Sequence, residues 1–276
     1  MADWASLFRR PEDPGDLDSW FTRIADRLLN GSRLVAGQQA YRLVEIEFYY
    51  WSNAHQDPFT HRDPIQFHIG LWYFHRSRGS YRGGSFKGLD LTFGDPTSSG
   101  GILIRGLEAP GGELIDGPSL CVDHLLDVTG AEDVPTLDRA IAGRLAWDEN
   151  NPLLLRETET SEDRPIYRSA RVGLFLKRSG SRAESTRFVM RPYRYLTEPR
   201  RTKKGKLHIV LALHARGVSI DDIRRLTNCP RHTIERYVAD FEAGRKEADF
   251  TPYFGIDLGP RQLCRLYGVW WAHFHS

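Results

Sequence analysis

With 276 residues, 40% of them hydrophobic and 12% aromatic, the chain can bury one large core, or a medium core with a small appendage. Its 38 basic and 36 acidic residues leave a net charge of +2, so any basic surface must come from the distribution of charge and not from its total. Three distant cysteines, Cys121, Cys229 and Cys264, exclude a disulfide framework and a zinc ribbon and suggest a reducing cytoplasmic setting, and neither a secretory leader nor a membrane span is expected.

Glu12 to Gly15 is a polar stretch punctuated by Pro and Gly. Asp18 or Ser19 can then cap a helix whose apolar stripe is Trp20, Ile24, Leu28 and Leu29, with Gly31 as its stop. Ser32 to Ala36 and Tyr41 to Tyr50 read as a strand pair. Alternation in the second puts Leu43, Glu45, Glu47 and Tyr49 on one face and Val44, Ile46, Phe48 and Tyr50 on the other. An ionised carboxylate is costly inside a core, so the acid pair lines a solvated face or belongs to a site.

Trp72 to Phe74 suggests a further strand, followed by the loose run RSRGSYRGGSFKG, a composition that suits a functional surface loop. Gly88 to Phe93 and Gly101 to Leu107 are expected strands, with a DPTSSG turn between them. Helices are expected over Leu120 to Val128 and Leu137 to Leu145, and closing strands over Ala170 to Leu176 and Thr186 to Met190.

Six segments occur in the order and rough spacing of a known family: VEIEFY (Val44 to Tyr49), DPFTHRD (Asp57 to Asp63), GGILIRGLEAP (Gly100 to Pro110), GPSL (Gly117 to Leu120), ARVGL (Ala170 to Leu174) and TRFVMR (Thr186 to Arg191). Over roughly residues 15 to 196 the chain resembles the alkyladenine DNA glycosylases. The resemblance implies a monomeric α+β domain with a curved, largely antiparallel or mixed sheet and flanking helices. Such a domain flips a nucleotide from double-stranded DNA and hydrolyses its N-glycosidic bond, without a cofactor. Glu47 matches the glutamate that activates the water. His61, Arg105 and the main-chain carbonyl of Val172 match the groups that hold it, and Tyr49 matches a tyrosine packed on the flipped base. Glu45 is expected to be a structural neighbour.

Each assignment has a plainer rival. His61 is one of four loop histidines, with His55, His68 and His75; their spacing fits no ligand pattern, and no metal is expected. Arg105 could form a structural salt bridge with Glu108. The family's two tyrosines that stack on the flipped base and wedge into the duplex fall at Gly84 and Lys87, neither aromatic, which implies a pocket enlarged for a bulky modified base. Tyr81 or Phe86 could supply the missing ring, and Arg76, Arg78 and Arg82 suit phosphates. Lys87 could in principle form a Schiff base, but the resemblance implies hydrolysis by water.

The boundaries read from the sequence are a catalytic domain over 1–198, a basic linker over 199–206, a helix-turn-helix over 207–247 and an aromatic tail over 248–276 that packs on the body or forms an interface. The linker PRRTKKGK brings Arg200, Arg201, Lys203 and Lys204, and the last helix, entered at Pro230, would present Arg231, His232, Thr233 and Arg236 to a major groove. The setting expected is cytoplasmic and nucleoid-associated. The runner-up is a non-catalytic DNA-binding regulator that uses the glycosylase fold to sense a base or to dock.

Overall fold

The computed structural model describes residues 3–11, 17–159, 161–176 and 182–275, so the polar stretch Glu12 to Gly15 lies outside the described residues. The chain forms two compact units, one of residues 1–56 and 60–166, the other of 57–59 and 167–276. The architecture is α+β, with a large antiparallel sheet that does not close on itself. Among the described residues, no helix is long and apolar enough to cross a membrane.

The first unit is built on strands β1 (Ser32–Ala36), β2 (Gln39–Ser52), β3 (His55–Gln56), β4 (Ile69–Phe74), β5 (Arg76–Ser77), β6 (Ser80–Tyr81), β7 (Leu89–Phe93), β8 (Ser99–Glu108), β9 (Leu114–Asp116) and β10 (Leu153–Glu157). They lie in the order β10-β1-β2-β8-β7-β4, with β3 beside β2 and β9 beside β8, while β5 and β6 form a separate hairpin. That hairpin turns on Arg78 and Gly79, both at positive φ (52° and 83°), as a tight two-residue turn matched to strand twist requires.

The even-numbered face of β2 forms the apolar core. Helix α1 (Trp4–Phe8) is followed by α2 (Leu17–Asn30), whose stripe buries Trp20, Phe21, Ile24 and Leu28. Phe21 stacks on Phe48 at 4.6 Å, and Trp20 meets Tyr50 edge-on at 5.6 Å. Each such side chain contributes about 1.5–3 kcal/mol on burial, so the aromatic layer fixes which face of β2 turns inward. Helix α2 starts before Asp18, which lies inside its first turn. Two further helices, α3 (Pro118–Thr129) and α4 (Val134–Ile141), complete the unit. α4 stops well short of the expected Leu145, because Ala142 and Gly143 turn to positive φ.

In the second unit β11 (Tyr167–Ser169) pairs with β12 (Arg194–Leu196), and the strands expected over Ala170 to Leu176 and Thr186 to Met190 do not form. Gly173 turns at φ 82°, which breaks the first; the second is largely helix α5 (Arg182–Phe188), where Val189 closes a turn onto the Ser185 carbonyl. The apolar run Phe188-Val189-Met190 is the buried end of that helix, so its composition resembled a strand.

The C-terminal helices α6 (Lys206–His214), α7 (Ile220–Thr227) and α8 (Arg231–Gly244) follow the helix-turn-helix pattern around Ile209, Val210, Leu213, Ile223 and Ile234. Ser219 caps α7 by accepting from the Asp222 amide, and Asn228 takes the left-handed conformation that ends it. The aromatic tail forms α9 (Pro260–Phe274), which packs on α8. Their crossing needs glycine on both sides: a Cβ at Gly244 would lie 2.0 Å from the Arg265 carbonyl oxygen, and one at Gly268 2.0 Å from that of Phe241.

Candidate functional site

Two compensating irregularities in the β2–β8 ladder shape the polar face of the sheet. Register shifts on either side of Glu45 leave Arg105 as the extra residue of β8 between Ile104 and Gly106. A bulge of this kind re-aims a side chain. Arg105 Nε donates to Glu45 Oε1 at 2.7 Å and lies 3.3 Å from Glu47 Oε1, while the Tyr49 hydroxyl donates to Glu47 Oε2 at 2.9 Å. Glu45, Glu47 and Arg105 are 1%, 0% and 5% exposed, so a solvated face is ruled out for the acid pair. Burial alone would lower the pKa of Arg105, but the Glu47 and Glu45 charges raise it above the ordinary value. Glu108 is paired with Arg42 instead of Arg105.

Three of the sequence-predicted residues, Glu47, Arg105 and Tyr49, thus form one cluster, with Glu45 as a direct partner of the arginine. His61 packs elsewhere. The register places Glu47, Leu103, Asp90 and Tyr73 in one row on one face, opposite one another across β2, β8, β7 and β4. Strands about 4.8 Å apart put the Glu47 and Asp90 backbones roughly 10 Å from each other. At the Asp90 end His61 meets the Tyr73 ring at 6.0 Å and the His75 ring at 4.4 Å, edge to face. His75 Nε2 shares a 2.7 Å hydrogen bond with Asp90 Oδ1, and Gln66 Nε2 donates to Asp90 Oδ2 at 2.9 Å. The pKa of His61 is pushed down to about 4 by desolvation first and by the charge of His75 next, although the residue's outer edge reaches solvent.

Sequence reading missed Asp90 and Gln66; the alternation LDLTF offered an acid on a period of two, but its meaning depends on register. Val172 lies in the second unit, half-buried on the turn after β11, next to the buried pair in which Arg171 donates to both Asp57 oxygens at 2.6 and 3.2 Å.

The loop after β6 carries the remaining candidates. Tyr81 is tied down: its hydroxyl donates to Asp138 and receives from Arg76, whose guanidinium lies over the ring. Gly84, at φ 55°, begins a short 3₁₀ turn in open surroundings, Lys87 pairs with Asp123, and Phe86 stands 73% exposed. Arg78 is exposed at the hairpin tip and Arg82 half-buried.

In the second unit the basic run is a folded turn. Pro199 and Thr202 are buried, and the Lys206 ammonium donates to the carbonyls of Pro199, Arg200 and Thr227. Arg200 donates to the Arg225 carbonyl, Arg201 pairs with Glu198, and Lys203 and Lys204 are exposed. On α8, Arg231, His232 and Arg236 are exposed and Thr233 half-buried, but Arg231 already pairs with Asp221 and Glu235. A cleft of about 820 Å³ lined by Glu247, Tyr253, Arg261 and Arg265 includes none of the predicted site residues.

The fold and the acid-bearing sheet define an α+β protein with buried, paired charge at the centre of an open antiparallel sheet and a helix-turn-helix in its second unit. No family model matches the chain. It is 34% identical over 214 residues to the uncharacterized protein L759 of Acanthamoeba polyphaga mimivirus, a match covering 71% of this chain and 94% of the viral protein. The chain therefore belongs to the family of that viral protein.

Proposed function

We propose that the protein is a monofunctional DNA glycosylase that flips a damaged or modified base from duplex DNA and hydrolyses its N-glycosidic bond, leaving an abasic site. The observation that carries this reading is the Glu47 carboxylate, fixed between Arg105 and the Tyr49 hydroxyl on a bulged central strand. Cleavage passes through a sugar with oxocarbenium character, which a buried carboxylate stabilises and whose incoming water it can deprotonate. Tyr49 would line the base pocket, and Arg105 would fix the carboxylate's orientation through its bond to the same cluster. With Tyr81 tied to Asp138 and Arg76, the exposed ring of Phe86 is the better candidate for the wedge that fills the emptied stack. Gly84 carries no ring and its surroundings are open, which suits a bulky base, whether the setting is repair or defence against modified foreign DNA. Exposed Arg78, Lys203, Lys204, His232 and Arg236 would supply phosphate contacts with a salt-dependent affinity.

Abasic-site formation on duplexes carrying alkylated or bulky bases tests the reading. Glu47→Gln should lower base release by about 10²- to 10⁴-fold while DNA binding persists. A second reading, a non-catalytic DNA-binding regulator, is favoured by the complete burial of Glu47 and by the packing of His61 on His75 instead of on the glutamate. Wild-type protein that binds these duplexes but never releases a base would select it.

A further inference from the structure

One donor atom from each of His61, His75 and Asp90 falls within 4.8 Å of the others, two imidazole nitrogens and one carboxylate oxygen. We propose that these three side chains bind a divalent transition-metal ion of the zinc type, leaving at least one coordination position to water or a ligand. Two imidazoles and a carboxylate are a donor set that zinc and its neighbours favour, and three protein ligands are the usual number where a position stays open. Bonds of about 2.0–2.2 Å put tetrahedral donors roughly 3.3–3.6 Å apart. The present separations, from 2.7 Å between His75 and Asp90 up to 4.8 Å, bracket that range.

Two of the ligands sit on rigid backbone. Asp90 lies in β7, and its second oxygen is oriented by Gln66. His75 follows β4, its amide donates to the Gly88 carbonyl at 2.9 Å, and its ring rests on Gly88, where a Cβ would lie 2.5 Å from Nδ1. His61 is the adjustable third. It occupies an exposed loop position, outside the helices and strands. Among the described residues it makes ring contacts but no hydrogen bond, so the His75–Asp90 pair alone does not account for its place. Asp63 and Arg82 are the other charges that act on it.

The proposal does not rest on the glycosylase reading, because metal binding is read without DNA. Full-length protein stripped with a chelator is titrated with Zn²⁺ by calorimetry and with Co²⁺ by visible absorption. The expected result is one equivalent bound with micromolar or tighter affinity, a Co²⁺ spectrum typical of four or five ligands including nitrogen, and a raised melting temperature. His61→Ala and His75→Ala should each weaken binding by at least about tenfold, the loss that even a second-shell partner brings. His68→Ala, at an exposed histidine outside the cluster, should not. Gly88→Ala, which pushes the His75 ring without removing a ligand, should also weaken it. Zn²⁺ binding in the millimolar range only, or affinity unchanged in His61→Ala with its fold verified by circular dichroism, overturns the proposal.

Discussion

Two polar clusters share one face of the sheet, two strands apart, and they are built on opposite principles. Around Glu47 every charge meets a partner: two carboxylates flank one guanidinium, a tyrosine hydroxyl takes a further oxygen, and the acids and the arginine are all nearly closed to water. Around Asp90 the carboxylate is buried, but the groups facing it open toward solvent in sequence, His75 partly and His61 at the surface. The first arrangement stores charge in a fixed geometry, whereas the second leaves a donor free to move. A sheet can hold both because Leu103 lies between them within one row, an apolar side chain that should insulate one from the other.

The largest expected effect comes from breaking the matched cluster. Arg105→Met leaves two buried carboxylates without their common counter-charge and should destabilise the first unit by about 3–5 kcal/mol, read as a lowered urea midpoint. The pairing itself contributes far less than this suggests. A variant replacing Glu45, Glu47 and Arg105 together with apolar residues of similar volume should recover most of the loss, and a triple variant as unstable as Arg105→Met would contradict this account of the cluster.

The next effect joins the two clusters. Gly101 lies opposite both Tyr49 and Thr92, and a Cβ there would approach Gln66 Nε2 to 2.5 Å and Asp90 Oδ2 to 2.6 Å. Gly101→Ala should therefore cost about 1–3 kcal/mol by overpacking. The disturbance should fall on the Asp90 side, so amide and side-chain NMR shifts should move at Gln66, His75 and Asp90 more than at Glu45 and Arg105. Equal shifts at both ends would mean that Leu103 does not insulate them.

How far each cluster could be read in the sequence follows from the same contrast. The Glu47 cluster depends on a period of two within one strand, which places Glu45, Glu47 and Tyr49 together without knowledge of pairing. Arg105 joined it through the resemblance, but the bulge that aims it at both acids is a property of register, which local alternation does not carry. The Asp90 cluster draws on the loop at His61, the 3₁₀ turn at Gln66, the end of β4 and the middle of β7, and only the order β8-β7-β4 brings them together. Likewise Thr186 to Met190 looked like a strand because its apolar run was contiguous. The buried end of a short helix has the same composition, and what decided between them was tertiary burial of Phe188 and Met190.

The smallest expected effect separates stability from binding. His61→Ala removes an exposed side chain that makes only ring contacts, so unfolding free energy should change by no more than about 0.5 kcal/mol, against several for Arg105→Met. If the open cluster is an adjustable binding site, that nearly silent substitution should still reduce the stabilisation that Zn²⁺ gives the wild type, by about 1.4 kcal/mol for each tenfold loss of affinity, since a ligand bound to the folded state stabilises it by RT ln(1 + [L]/Kd). Chemical unfolding of both proteins with and without Zn²⁺ measures the two quantities together. A loss of several kcal/mol in the absence of metal would instead make His61 part of the packed framework, and the distinction between a closed and an open cluster would then fail.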